Sequence, residues 1–360
     1  TNFLGYQIIW FFTVWCIQKN LFFLPLLMTA LYIHIPFCKT ICPYCAFYKQ
    51  IDKQELHEDY VESLLSELGF YAAYIDNKRP DVAIHSIFFG GGTPNTLTEK
   101  EFEKIYSFIQ THFDLTSDCE ITMEMNPECV TSENLSCYSN FINRVSMGVQ
   151  SFNLSELSFL GRVHDVETVD RSINLIQQSG LSNLNLDLIY ALPNSNLELL
   201  SHSLESAFSY NISHLSTYSL TIEPDTAFSV KGIRPIHSDA DATQYDFIRQ
   251  LSNSNGFEHY EVSAFSKSGL ESQHNLTYWR LDDFIGVGPS ASSFFDGYRF
   301  KQESSLLKYL QDSSSPLSRD KPIVNVTKED ELNDFLVSNL RLINGFDVDT
   351  INHRFGIDFQ

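Results

Sequence analysis

The stretch HIPFCKTICPYCAF, residues 34–47, carries Cys38, Cys42 and Cys45 in one short loop directly after an apolar run. A disulfide uses thiols in pairs, and a structural zinc site normally takes four ligands. Thiols spaced by three and then two residues can ligate three irons of a [4Fe–4S] cluster, leaving the fourth iron open to an exchangeable ligand. Two other readings stay open on spacing alone: a zinc ion completed by a nearby side chain such as His34, or a redox thiol cluster. Phe37 and Tyr44 sit among the cysteines and would shield a cluster from water, which helps set its potential.

S-adenosylmethionine (SAM) can occupy an open iron position through its amino and carboxylate groups. One electron from the cluster then breaks a sulfur–carbon bond and releases a deoxyadenosyl radical. Such a ligand needs a cradle. Gly90, Gly91 and Gly92 close an apolar segment, and backbone without side chains lets a ligand approach, although such a run is by itself more often a turn. Glu124 and Asp187 suit an amino group or ribose hydroxyls, Arg162 suits a carboxylate, and Gln150 is a further polar candidate. Taken singly, each reads equally well as an ordinary structural polar residue.

The elements that must position these residues are regular from residue 30 onward. ALYIHIPF reads as a buried strand and KQELHEDYVESLLSELGFYAAYI as an amphipathic helix. AIHSIFF, EITMEMNP, RVSMGVQSF, LNLDLIYALP and HLSTYSLTIEP read as further strands, with helical stretches such as EKEFEKIYSFIQTHF and VETVDRSINLIQQSG between them. Apolar strands alternating with helices predict an α/β fold with a parallel sheet, arranged as a full or partial (β/α) barrel. Catalytic residues of such folds gather at the carboxyl ends of the strands. The cysteines, the glycines, Glu124, Asn126 and Gln150 all fall there.

At 360 residues and 43% hydrophobic, the chain can bury a sizeable core. Its formal net charge of −21 argues against nucleic acid as a partner, because phosphate binding needs a basic surface. Seven unevenly placed cysteines argue against a secreted disulfide framework and for a reducing, cytoplasmic setting. The opening FLGYQIIWFFTVWCIQKNLFFLPLLM is almost wholly apolar, with Lys19 its only charge. Gln18, Lys19 and Asn20 split it below an uninterrupted span, and it lacks the basic start and cleavage site of a signal peptide. Residues 1–27 therefore read as an extension foreign to the folded unit or as a membrane-associating segment, with Met28 standing just before the first strand.

Taken together, YIHIPFCKTICPYCAF, FFGGGTP, EMNPE, GVQSF, LGRVH, DLIYALP, YSLTIEPDTAF and HNLTYW resemble the heme chaperone branch of the oxygen-independent coproporphyrinogen III oxidase family, within the radical SAM superfamily. The resemblance runs from about residue 30 to the end. It implies cluster ligands Cys38, Cys42 and Cys45, and SAM contacts at Tyr32, Gly91, Gly92, Thr93, Glu124, Gln150, Arg162 and Asp187. It also implies a partial (β/α) barrel of the radical SAM type with a smaller C-terminal α+β region. The corresponding boundaries are an apolar extension over 1–27, a core over 28–235, and a heme or substrate region over 236–360 that ends earlier than in relatives.

Two features separate the branches. The oxidases carry another cysteine two residues after the last ligand, where this chain has Phe47, and they lack the HNxxYW motif seen here as His274, Asn275, Tyr278 and Trp279. The resemblance associates that motif with heme: a histidine can ligate iron, and Tyr and Trp can cover a macrocycle face. Without the resemblance, His274 reads better as a core histidine beside buried aromatics. The implied function is a heme chaperone using a [4Fe–4S] cluster and SAM; the alternative is radical oxidative decarboxylation of coproporphyrinogen III, and a structural metal protein is the weakest reading. Expected partners are heme, an acceptor protein and an electron donor, with membrane contact and a homodimer left open. Three positions depart from the pattern: Ala191 and Asn194 stand where glycines are usual, and Ser292 where a histidine is usual.

Overall fold

The computed structural model describes residues 27–318 and 324–358. Of the expected N-terminal extension, residues 1–26 lie outside the described residues, and the first strand starts at Leu27, one residue ahead of Met28. Among the described residues no helix is long and apolar enough to cross a membrane.

Strands β1 (Leu27–Ile35), β2 (Val82–Gly91), β3 (Leu115–Met125), β4 (Arg144–Gln150), β5 (Leu184–Tyr190) and β6 (His214–Ser219) lie side by side in chain order and run parallel. Later strands extend the sheet at both edges. Beyond β6 come β8 (Ala264–Ser266) and β7 (Glu258–Glu261), both pairing antiparallel. Beyond β1 come β9 (Phe284–Val287), which is parallel to it, then β10 (Ser292–Phe295), β11 (Tyr298–Lys301) and β12 (Val324–Asn325) in antiparallel succession. The result is one 12-stranded sheet. The expected barrel is thus an open one among the described residues: β7 and β12 are the end strands of the sheet, and the Ile343 amide donates to the Tyr260 carbonyl on the outer side of β7 at 3.1 Å.

The two faces of the parallel strands differ in character. Leu31, Ile33 and Ile35 on β1, Ile87 and Phe89 on β2, Met123 on β3 and Val145, Met147 and Val149 on β4 pack into the main core. They meet helices α1 (His57–Lys78), α2 (Glu99–His112), α3 (Val166–Gln178) and α4 (Leu197–Ser209), which bury Leu64, Phe102, Ile173 and Leu204 from the other side. Local rules set where the crossover helices begin. Thr98 closes a capping box with Glu101 at the start of α2, and Asp165 caps α3. The alternate residues, including Tyr32, Ser86, Glu124, Arg144, Ser146, Asn185, Asp187, His214 and Ser216, face the other way and build a polar interior. Strand period decides which of each neighbouring pair does which.

Beyond α5 (Ser238–Ser254), the short helix α6 (Gln273–Trp279) carries the HNLTYW residues and packs against β2. Helices α7 (Lys328–Asn339) and α8 (Val348–Phe355) form a small second cluster around Phe335, Ile351 and Phe355.

Candidate functional site

The chain leaves the carboxyl end of β1 directly into the cysteine loop. Phe37–Cys38 pairs with Gln50–Ile51 as a short parallel ladder, and the Asp52 amide donates to the Cys38 carbonyl at 2.9 Å. The Cys45 amide closes a turn on the Cys42 carbonyl, and the Phe228 amide donates to the Pro43 carbonyl at 3.0 Å. Two glycines are required by this packing. A Cβ on Gly92 would lie 2.7 Å from the Ile35 carbonyl oxygen and 2.8 Å from that of Phe37, while one on Gly161, whose φ is +67°, would meet the Pro43 ring at 2.7 Å. Gly92 therefore does more than open space for a ligand: it lets the glycine turn lie against the cysteine loop.

Cys38, Cys42 and Cys45 carry free thiols and line one cavity of about 560 Å³. Gly91, Gly92 and Thr93 border it from the end of β2, and Glu124 and Asn126 from β3 and the turn after it. Gln150, Arg162 and Asp187 complete the far side. The structure thus brings together residues separated by as many as 149 positions in sequence, Cys38 to Asp187.

A hydrogen-bonded chain runs beneath the thiols. Thr93 donates its hydroxyl to the Cys38 sulfur at 3.5 Å, and the Asn126 amide donates to the Thr93 hydroxyl at 2.8 Å. Arg162 Nη2 donates to Asn126 Oδ1 at 2.6 Å, while its Nη1 points to the Cys42 sulfur at 3.4 Å. Arg162 Nε is buried with no hydrogen-bond partner among the described residues, a donor available to a ligand acceptor. Burial pushes the Cys38 thiol up to about 11 and raises Cys45 as well, so a cationic centre is needed to draw their protons off.

Two carboxyl groups sit deeper in the cavity. Glu124 accepts the Gly91 amide at 2.9 Å, and burial together with the neighbouring Asp187 charge pushes it up to about 8. Asp187 is also raised by burial, against the opposing effect of bonds from Asn185, Ser146 and Ser216. Two carboxyl groups and a buried arginine around one cavity suit a ligand carrying both an amino group and a carboxylate. Gln150 holds φ at +69° where β4 shifts register against β5, a strained conformation that turns the chain end into the cavity.

The zinc alternative loses its fourth ligand, because His34 lies outside the cavity lining, held by the Tyr32 hydroxyl at 3.1 Å and the Tyr48 carbonyl at 2.8 Å. Among the described residues no group of three or more His, Cys, Asp or Glu side chains could hold a single metal ion. A cluster of several atoms, whose ligand sulfurs stand around its rim, fits the cavity better than one ion does.

The remaining candidates lie apart from the cavity lining. Tyr32 stacks on Phe88 with centroids 6.1 Å apart, beside His274. His274 is buried, with Nδ1 on the Ser86 hydroxyl at 3.0 Å and Nε2 on the Tyr278 hydroxyl at 2.8 Å, and burial lowers it to about 3. The expectation that Tyr278 and Trp279 together cover one macrocycle face meets a different geometry. Tyr278 packs edge-on against Phe284 at 4.7 Å, and the Trp279 ring is covered by the Arg341 guanidinium at 4.3 Å. Helical spacing explains the split: His274 and Thr277 turn to β2, while Gln273, Leu276 and Arg280 border a second cavity of about 590 Å³. Ala191 and Asn194 both hold positive φ, +59° and +68°, where glycine would be relaxed. Ser292 is exposed on β10.

Sequence reading passed over Lys49, Ser146 and Tyr218, which also border the first cavity. The signal was available for the last two: each lies at an even offset along its strand from a polar inward residue, Arg144 and Ser216 respectively.

Residues 32–207 match the family described as the Radical SAM superfamily. The chain is 40% identical over 267 residues to the heme chaperone HemW of Escherichia coli, covering 73% of this chain and 69% of that protein. It is 32% identical to the heme chaperone HemW of Lactococcus lactis over 334 residues, 91% of this chain and 86% of its relative. Among solved structures, coproporphyrinogen III oxidase (HemN) from Escherichia coli, a radical SAM enzyme, superposes with a TM-score of 0.78 at 20% identity, covering 95% of this chain and 82% of that one. That likeness is one of fold. With the three-thiol cavity and these two relatives together, the chain belongs to the HemW family of radical SAM proteins.

Proposed function

We propose that this protein binds heme and delivers it to an acceptor protein, on a scaffold that holds a [4Fe–4S] cluster and SAM. One observation carries the reading: the three-thiol cavity is built into a chain 40% identical to a protein named as a heme chaperone. Cys38, Cys42 and Cys45 would hold the cluster. Glu124 and Asp187 would take the ligand's amino group and hydroxyls, and Arg162 its carboxylate through the unpartnered Nε. Gly91, Gly92, Thr93 and Gln150 are the remaining proposed SAM contacts on the cavity lining, while Tyr32, also implied by the resemblance, stands behind it, bonded to His34. Bound there, cluster and SAM supply one-electron bond cleavage; the chain's own residues orient the ligand, balance its charges and keep water from the sulfurs.

Heme enters this reading through α6. A neutral imidazole is the form that ligates iron, and burial keeps His274 neutral. Ligation would exchange the Nε2 bond to Tyr278 for iron and keep the Nδ1 bond to Ser86, which orients the ring. Phe47, 69% exposed at the cavity rim, stands where the oxidase branch carries its additional cysteine.

The test is anaerobic reconstitution with iron and sulfide, followed by SAM, reductant and either heme or coproporphyrinogen III. Heme binding with transfer to an apo-acceptor, and no decarboxylated product, is the expected result. Efficient conversion of coproporphyrinogen III would move the protein to the oxidase reading, and failure to assemble a cluster would sink both.

A further inference from the structure

Asp187 receives a directed chain of hydrogen bonds that begins far from the cavity. Sheet register creates it: Ser146 on β4, Asn185 on β5 and His214 on β6 are lateral neighbours on the inner face. Asn185 Nδ2 donates to Asp187 Oδ1 at 2.8 Å and to the Ser146 hydroxyl at 2.8 Å, and Ser146 donates to Asp187 Oδ2 at 3.0 Å. Asn185 Oδ1 accepts from Ser216 at 3.1 Å and faces His214 Nδ1 at 2.6 Å. On the other side of the imidazole, Nε2 lies 2.8 Å from the Tyr260 hydroxyl.

Hydrogen-bond logic assigns the protons from Tyr260 through His214 and Asn185 to Asp187. The Asn185 amide cannot be reversed, because its oxygen would then oppose the Asp187 carboxylate. Nδ1 of His214 must therefore carry hydrogen and donate to Asn185. Nε2 is then the acceptor, and Tyr260 donates to it while accepting the Ser272 amide at 3.4 Å. Each donor points toward Asp187, and the buried Arg144 close by favours the same charge. Ser146 and Asp187 border the cavity; Asn185 and His214 do not. His214 is fully buried, and burial holds it neutral, the state this tautomer requires. A core built only for stability has cheaper solutions than four polar side chains in series.

We infer that His214 and Tyr260 are positioning residues, acting through Asn185 to fix the Asp187 carboxylate in the orientation and charge that receive SAM. The inference rests on the SAM reading above. Neither residue touches the ligand; together they set the tautomer that keeps Asn185, and hence Asp187, in place.

The experiment uses the full chain with its cluster reconstituted and measures SAM affinity by equilibrium dialysis, alongside iron and sulfide content. His214→Leu should weaken SAM binding by about tenfold or more with the cluster retained, in line with the loss of a supporting hydrogen-bonded partner. His214→Gln, whose amide can donate toward Asn185 and accept from Tyr260, should recover most of that loss. Tyr260→Phe removes one hydroxyl and keeps the shape, so it should fold and weaken binding by roughly threefold. On an Asp187→Asn background, His214→Leu should cost nothing further. Equal SAM affinity in wild type, His214→Leu and Tyr260→Phe overturns the inference, as does full additivity with Asp187→Asn. Wild-type protein that carries its cluster yet binds no SAM overturns the parent reading as well.

Discussion

Arg162 reaches across 120 residues of sequence to set Nη1 3.4 Å from the Cys42 sulfur, while its Nη2 holds Asn126 at 2.6 Å. A guanidinium donor to a ligand sulfur stabilises the more negative, reduced form of a cluster. Arg162→Gln should therefore shift the cluster midpoint potential to a more negative value and weaken SAM binding by about tenfold. A redox titration monitored by EPR, with and without SAM, checks both; an unchanged potential would remove Arg162 from the cluster's surroundings.

The cysteines divide by place. Cys38, Cys42 and Cys45 line the cavity, whereas Cys119, Cys129 and Cys137 are buried in other parts of the molecule. Serine at any of the first three should abolish the broad visible absorbance and the iron and sulfide content of reconstituted protein. Serine at any of the other three should leave both intact. Zinc in place of iron and sulfide would refute the cluster.

Glu124 gives the ligand-free protein a pH dependence. Its carboxyl is raised from 4.5 to about 8 by burial and by Asp187, so the folded protein keeps a proton that the unfolded chain has lost. Its contribution to stability is full below the ordinary carboxylate range and declines as pH rises through about 8. An amino group donates best to the ionised carboxylate, so SAM affinity should climb over the same interval and level off above it. Glu124→Gln should flatten both profiles, as measured by thermal melts and SAM dialysis across pH.

Ala191 holds φ at +59° with its amide on Gln244 at 2.9 Å. A non-glycine residue there carries a backbone cost of about 1–2 kcal/mol, partly offset by the extra freedom glycine has in the unfolded chain. The methyl is also buried in the core, so Ala191→Gly should leave stability within about 1 kcal/mol of wild type in denaturant melts, relief of strain being offset by lost burial and by the unfolded chain's freedom. A loss of several kcal/mol would show that the turn is not strained.

Tyr278 and the proposed heme iron would compete for Nε2 of His274, which lies 2.8 Å from the Tyr278 hydroxyl. Tyr278→Phe should free Nε2 and tighten heme binding severalfold. His274→Ala should weaken binding or move the Soret band while the cluster absorbance stays. An unaltered heme spectrum in His274→Ala protein would place the iron elsewhere.

The cysteine spacing, the alternation of apolar strands with helices, and the placing of Gly91, Glu124 and Gln150 at strand ends were all legible in the sequence. These are short-range properties, written in period and in turn chemistry, and they survive without knowledge of what packs on what. Three outcomes belonged to tertiary structure alone. The sheet stays open because late strands extend both of its edges, which no local pattern encodes. His274 faces β2 and not the cysteine cavity, because the docking angle of a short helix depends on its neighbours. The Asn185–His214–Tyr260 chain exists only through lateral register between strands distant in sequence, and register is set by the packing of both sheet faces at once.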